Sequence, residues 1–227
     1  MRMSMNDQLY KLLTWMSPSF PVGAYSFSHG LEYAVEARLV TDAATTRDWI
    51  RDLVLIGDGQ ADLVFLTSAW DAFEDRTQLQ AVHELALAFQ PSKEIRLEST
   101  AQGDAFMRAM APTWPCAAID ALAKIAQGTV CYPVAVGVAA RGHEVSKQMI
   151  ALAYAHAFVA NLVSAAVRLV PLGQTDGQRI VAELRDTVAE AAECACSTPL
   201  QSVSSSCLLA DIASMQHEVQ YTRLFRS

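Results

Sequence analysis

Five histidines and five cysteines are the side chains best suited to bind a metal or act as nucleophiles, and their spacing argues against both roles. His29, His83, His143, His156 and His217 are scattered along the chain, without the close pairs that a zinc-type site draws on. Cys194 and Cys196 form the one close thiol pair. On a helix they would point roughly 200° apart, so they read as small buried hydrophobes rather than as shared ligands. His156 lies within a long apolar run and reads as a core histidine with a hydrogen-bonded partner. His29 beside Glu32, and His217 beside Glu218, read as polar contacts at a surface. No GxxxxGK[ST] loop, no GxGxxG after a strand and no HExxH occur, so phosphate-loop, dinucleotide and zinc-protease chemistry find no support.

Two stretches are chemically distinctive without being catalytic. In the first, residues 17–32 (SPSFPVGAYSFSHGLE), Pro18 and Pro21 push Ser17 and Phe20 away from helical geometry. Gly23 offers a backbone free to take positive φ. Phe20, Tyr25 and Phe27 supply large rings, and Ser26 and Ser28 can cap a following helix. This is a shaped loop, read either as a rigid connector pinning two helices or as a docking surface. In the second, residues 217–227 (HEVQYTRLFRS), Tyr221, Arg223, Leu224, Phe225 and Arg226 give an otherwise acidic chain an aromatic and cationic end. Tyrosine and arginine are enriched at interface hot spots. The segment therefore either meets a partner or folds its Leu224 and Phe225 back on the chain's own core.

The elements that must position these stretches read as helices. Apolar residues recur at helical spacing in Leu9–Leu12–Leu13–Met16, Leu31–Val35–Leu39, Trp49–Ile50–Leu53–Val54, Leu63–Leu66–Trp70–Phe73 and Leu79–Val82–Leu85–Phe89. Expected N-caps are Asn6 or Asp7, Thr45 or Thr46, Ser92, and Thr175 in a capping box with Gln178. Gly57 and Gly59 break the third helix. Ile95, Gln102, Phe106 and Met110 lie along another, which Pro112 and Pro115 end; Gly128 closes a short alanine-rich helix over 116–126, and a last helix spans about 207–220. No strand-like alternation or internal repeat is present. The fold expected is all-α, a single-domain helical bundle over 1–227 around a long apolar central helix at about 145–170, with a partner-binding tail at about 217–227.

Bulk properties narrow the function classes. The 227 residues are 52% hydrophobic and 18% charged, with a net charge of −7 and no basic block, which argues against a nucleic-acid partner. Residues 149–167 carry no formal charge and approach the roughly 20 residues that span a bilayer. They also hold His156, Asn161 and Ser164, stand alone and have no basic cluster at their flanks, so a buried helix is the reading preferred over a membrane span. The first seven residues show no apolar leader core, and the odd number of cysteines fits reduced thiols in the cytoplasm.

In residues 17–32, 171–178 (PLGQTDGQ) and 217–227 the chain resembles the UreF family of urease accessory proteins, with the segments in the family's order and near its spacing. The resemblance implies a cytoplasmic all-helical protein without catalysis of its own, a scaffold in nickel insertion into urease. Its implied partners are a UreD/UreH-type accessory protein, the UreG GTPase and apo-urease, and it implies a homodimer. No cofactor is expected to bind tightly, although nickel is expected to pass through the assembled complex. An alternative is a regulator of the GTPase's hydrolysis. On this resemblance and the composition of the tail, His29, Glu32, Gln174, Tyr221, Arg223, Leu224, Phe225 and Arg226 are the expected partner-binding residues. Alanine at His29 and Glu32 is then expected to spare stability.

Overall fold

The computed structural model describes residues 4–227. Among them are twelve α-helices and no strand. They are α1 (Met5–Trp15), α2 (Leu31–Glu36), α3 (Ala43–Ile56), α4 (Asp58–Asp71), α5 (Arg76–Ala88), α6 (Lys93–Thr113), α7 (Ala117–Ala126), α8 (Tyr132–Gly142), α9 (Lys147–Leu169), α10 (Gln174–Glu183), α11 (Arg185–Ser197) and α12 (Leu208–His217). Met1, Arg2 and Met3, part of the N-terminal segment read for a leader, lie outside the described residues.

Local chemistry sets the helix ends, with some differences from the sequence reading. Ser92 caps α6 by accepting the Ile95 N–H, as its type and place suggest. Ser4, not Asn6 or Asp7, caps α1. Asp42 caps α3, and Thr45 answers it from the third helical position in a reciprocal box. Before α10 the Asp176 carboxylate accepts the Gly173 N–H at 3.1 Å, which replaces the expected Thr175–Gln178 pair. Gly57 separates α3 from α4, whereas Gly59 sits inside α4, and Pro112 is accommodated in the last turn of α6.

The expected apolar helix is α9, and it lies at the centre with α8. α4 and α6 pack along α8, while α11, α10 and α3 pack along α9. Every residue of α8 from Pro133 to Ala140 is buried. Close approach is what its small residues provide: a Cβ on Gly137 would collide with the Leu66 carbonyl oxygen, so α4 and α8 meet backbone to backbone. α9 is long and apolar enough to cross a membrane, but half of its most apolar stretch is buried against neighbouring helices. Its outer face carries Leu152, His156, Ser164 and Arg168. His156 is therefore exposed, against the core reading, because hydrophobic run length does not say which helical face turns outward. Cys194 is likewise exposed and Cys196 half-buried, on α11.

Candidate functional site

The loop 17–32 and the tail 217–227 meet in one corner, against the first half of α6. The loop enters from α1, which ends before Pro18, and runs through a short 3₁₀ turn at Ala24–Ser26 after Gly23 (φ 77°). It reaches α2 through two successive left-handed residues, His29 (φ 52°) and Gly30 (φ 73°). Only glycine fits at 30, since a Cβ there would stand 2.7 Å from the Ser214 nitrogen of α12. Phe20 and Phe27 are buried and hold the loop to the core, but Tyr25 is 69% exposed and does not.

Three buried carboxylates organise the corner. Glu32 of α2 takes the backbone N–H groups of Leu224 (2.6 Å) and Phe225 (2.8 Å), one on each oxygen. Glu94 of α6 takes the Arg223 guanidinium at 2.8 Å and His217 Nδ1 at 2.6 Å. The other nitrogen of His217 lies 3.1 Å from Glu32. Both ring nitrogens of His217 thus face carboxylate oxygens, and the imidazole ties α2 to α6 beneath the tail. Glu98, one helical turn beyond Glu94, pairs with His29 Nε2 at 3.1 Å and accepts the Ser227 hydroxyl at 2.7 Å. Ser28 closes the joint, its N–H and hydroxyl both donating to the Ser227 carbonyl oxygen. Cation–π contacts seat the rings, with Arg168 4.4 Å from the centroid of Phe225 and Arg226 5.3 Å from that of Phe27.

The predicted site residues thus divide. His29 and Glu32 are each 8% exposed, so they are interior polar groups rather than a surface, and alanine at either would strand buried partners instead of sparing stability. His217 is fully buried for the same reason. Phe225 folds back on Leu31, Ala34 and Ala166, while Leu224 (64%) and Tyr221 (102%) face solvent. Arg223 and Arg226 hold their own chain at one end and remain open at the other. Gln174, at the start of α10, is exposed and belongs to none of these contacts. The sequence reading missed Glu94 and Glu98. Their signal was a polar row, Glu94–Glu98–Gln102, set every fourth residue beside the apolar positions of α6.

Behind this corner lies a cavity of about 230 Å³ that opens between the loop and α9. Trp15, Val22 and Phe158 form apolar wall, and His29, Asp58, Asp62, Glu98 and Tyr154 form an acidic and polar one. Asp58 and Asp62 are one turn apart on α4, and the Tyr154 hydroxyl donates to Asp62 at 2.7 Å. Burial raises the Asp62 carboxyl to about 7, against the Tyr154 hydrogen bond and the His29 charge, which lower it. Burial likewise raises Asp58 to about 6, with His29 opposing. Burial alone would lower His29; the contact with Glu98, then the charges of Asp58 and Asp62, outweigh it and lift the ring to about 9. Its Nδ1 is buried without a hydrogen-bond partner. Among the described residues no three His, Cys, Asp or Glu side chains converge closely enough to hold a metal ion. The chamber wall is rich in carboxyl groups, but they do not form a closed coordination shell.

Beside the corner, α12 turns Leu208, Leu209, Ile212 and Met215 outward, at 68%, 62%, 42% and 46% exposure. The i, i+1, i+4, i+7 spacing puts them on one face, and Val219 (78% exposed) extends it toward the tail.

The sequence model of the UreF family matches residues 40–185. The urease accessory protein UreF of Bradyrhizobium diazoefficiens is similar at 47% identity over 221 residues, 96% of this chain and 91% of that protein. That of Rhodopseudomonas palustris strain BisB5 is 48% identical over 221 residues, with 96% and 91% covered. That of Methylorubrum populi is 43% identical over 219 residues, with 96% and 98% covered. The family-model match ends short of the loop 17–32 and the tail 217–227, whereas these pairwise similarities extend over nearly the whole chain.

Proposed function

Since the chain belongs to the UreF family of urease accessory proteins, we propose that it acts as a non-catalytic cytoplasmic scaffold in nickel insertion into urease. In this reading it joins a UreD/UreH-type accessory protein and the UreG GTPase on apo-urease, and it works as a homodimer. The observation that carries the reading is the exposed apolar face of α12, continued by Val219, Tyr221 and Leu224. An apolar stripe next to a tail anchored by buried charges is a surface built to be covered, with Tyr221 as a preformed aromatic anchor. We assign this face to the UreD/UreH-type protein.

Nickel is the cargo in this proposal. The acidic chamber behind His29 supports its passage, since the Asp58, Asp62 and Glu98 carboxyl groups line one wall. The alternative, regulation of GTP hydrolysis by an arginine supplied from the tail, has less support. Arg223 is engaged with Glu94 and Arg226 with the ring of Phe27, so neither is presented free to a nucleotide.

Co-expression with the other accessory proteins, followed by the mass and composition of the assembly, tests the scaffold. Deleting 221–227, which leaves His217 in place, is expected to preserve helix content and abolish co-purification of the UreD/UreH-type partner. Retained co-purification would remove the tail from the interface. Single-turnover GTP hydrolysis in the full complex, with and without this protein, decides the alternative; an unchanged rate rejects it.

A further inference from the structure

Glu98 faces two ways. Its Oε1 accepts His29 Nε2 at 3.1 Å and Gln102 Nε2 at 2.9 Å, and its Oε2 accepts the Ser227 hydroxyl at 2.7 Å. At 3% exposure, it has little water to replace a lost donor. On the tail side, Ser227 is fastened to Ser28, the residue next to His29. On the chamber side, His29 is part of the cavity wall, and its Nδ1 is buried without a hydrogen-bond partner. His29 also holds a left-handed backbone (φ 52°), uncommon for a non-glycine residue and sustained only by its surroundings. Those surroundings are Glu98 of α6, the charges of Asp58 and Asp62 on α4, the Phe158 ring of α9 at 4.8 Å, and the Ser28–Ser227 joint.

We propose that the C-terminal segment and the interior chamber are coupled through Glu98, so that seating the tail and setting His29 in the chamber wall are one event. With the tail seated, Glu98 is shared between Ser227 and His29, and His29 is locked in the chamber wall. With the tail lifted, Glu98 loses its outer donor, the 28–30 turn loses its closure, and His29 is free to leave its left-handed conformation. A partner that grips or lifts residues 221–227 therefore resets the charge that the chamber presents. That consequence rests on the chamber being a cation route; the coupling itself needs no cation. Linkage makes it reciprocal: weakening the His29–Glu98 contact must loosen the tail by the same free energy.

The test reads both ends in the full chain without metal. Ser227→Ala, which deletes one oxygen atom, is expected to move the titration midpoint of the His29 ring followed by NMR. His29→Gln is expected to speed hydrogen exchange at the Phe225 and Arg226 amides by about tenfold or more, the weight of one hydrogen bond to a charged group. Asp62→Asn, which alters chamber charge without touching Glu98, should leave tail exchange within about twofold of wild type. An unmoved His29 titration in Ser227→Ala overturns the coupling. So does unchanged tail exchange in His29→Gln, or equal acceleration by Asp62→Asn, which would mean general loosening. Should His29→Gln lose helix content, the Ser227→Ala titration decides alone. Neither readout depends on urease maturation, so the scaffold reading and the coupling stand or fall separately.

Discussion

The centre of the bundle and the corner where loop, α6 and tail meet are held by opposite means. At the centre, α8 is buried along Pro133–Ala140 and meets α4 through Gly137, with Val134, Val136 and Val138 fully enclosed. One of its buried polar groups, the Thr67 hydroxyl, lies within hydrogen-bond distance of carbonyl oxygens of its own helix and of Ala195 in α11. The corner instead buries Glu32, Glu94, Glu98, His29 and His217 together. Close packing of apolar side chains stabilises the first region by excluding water. Charge pairing keeps the second assembled, because losing one member leaves another buried and unpaired, a cost of about 3–5 kcal/mol. The centre should tolerate pH and fail under volume changes. The corner should do the reverse, which suits a region whose contacts are remade with a partner.

The largest effects should come from the centre. Phe65→Ala, at a side chain with no exposure, is expected to cost about 3–5 kcal/mol in urea unfolding, equally at pH 6 and pH 9. A strong pH dependence of that loss would erase the contrast. Next, Glu94→Ala, which strands His217 and Arg223, is expected to cost about 3 kcal/mol and to accelerate proteolysis within 217–227 before global unfolding. Cleavage unchanged from wild type would show that the tail is held by its apolar contacts instead.

A smaller effect should appear with pH in the unsubstituted chain. His29 is raised to about 9, so its contribution is present in full below its ordinary value of 6.5 and is lost as pH rises through 9. Asp58 and Asp62, raised to about 6 and 7, act in the same direction: the fold prefers them protonated and loses stability as pH climbs from their ordinary value of 3.8 up to about 6 and about 7. The thermal midpoint should therefore fall between pH 6 and pH 9, and Asp62→Asn should flatten the part of the fall below about pH 7. A midpoint that rises over this range would show that the chamber groups are solvated. Smallest of all, Tyr221→Ala should change stability by less than about 0.5 kcal/mol while weakening capture of the UreD/UreH-type partner in pull-downs.

How far these regions could be read in the chain differs with how local their physics is. The helices follow from apolar spacing, and Ser92 follows from capping chemistry, because both act within a turn or two. His156 and Cys194 were misjudged because a run of small apolar residues does not say which face turns outward. The loop and the tail were each legible as unusual, by prolines and rings in one and by arginines and aromatics in the other. Their meeting was not, nor was the burial of His29, Glu32 and His217, since a carboxylate reads as surface until its partners are known to be close.

Sequence by itself determined an all-helical chain with two special segments and a resemblance to one family, since helix periodicity, turn chemistry and motif order are properties of neighbouring residues. Only the tertiary structure decided that Glu32, Glu94 and Glu98 clasp a tail some 120–190 residues away in the chain, with His29 left facing an acidic chamber. Burying a charge is unfavourable until an opposite charge is within reach, and that distance is set by the packing of the whole bundle.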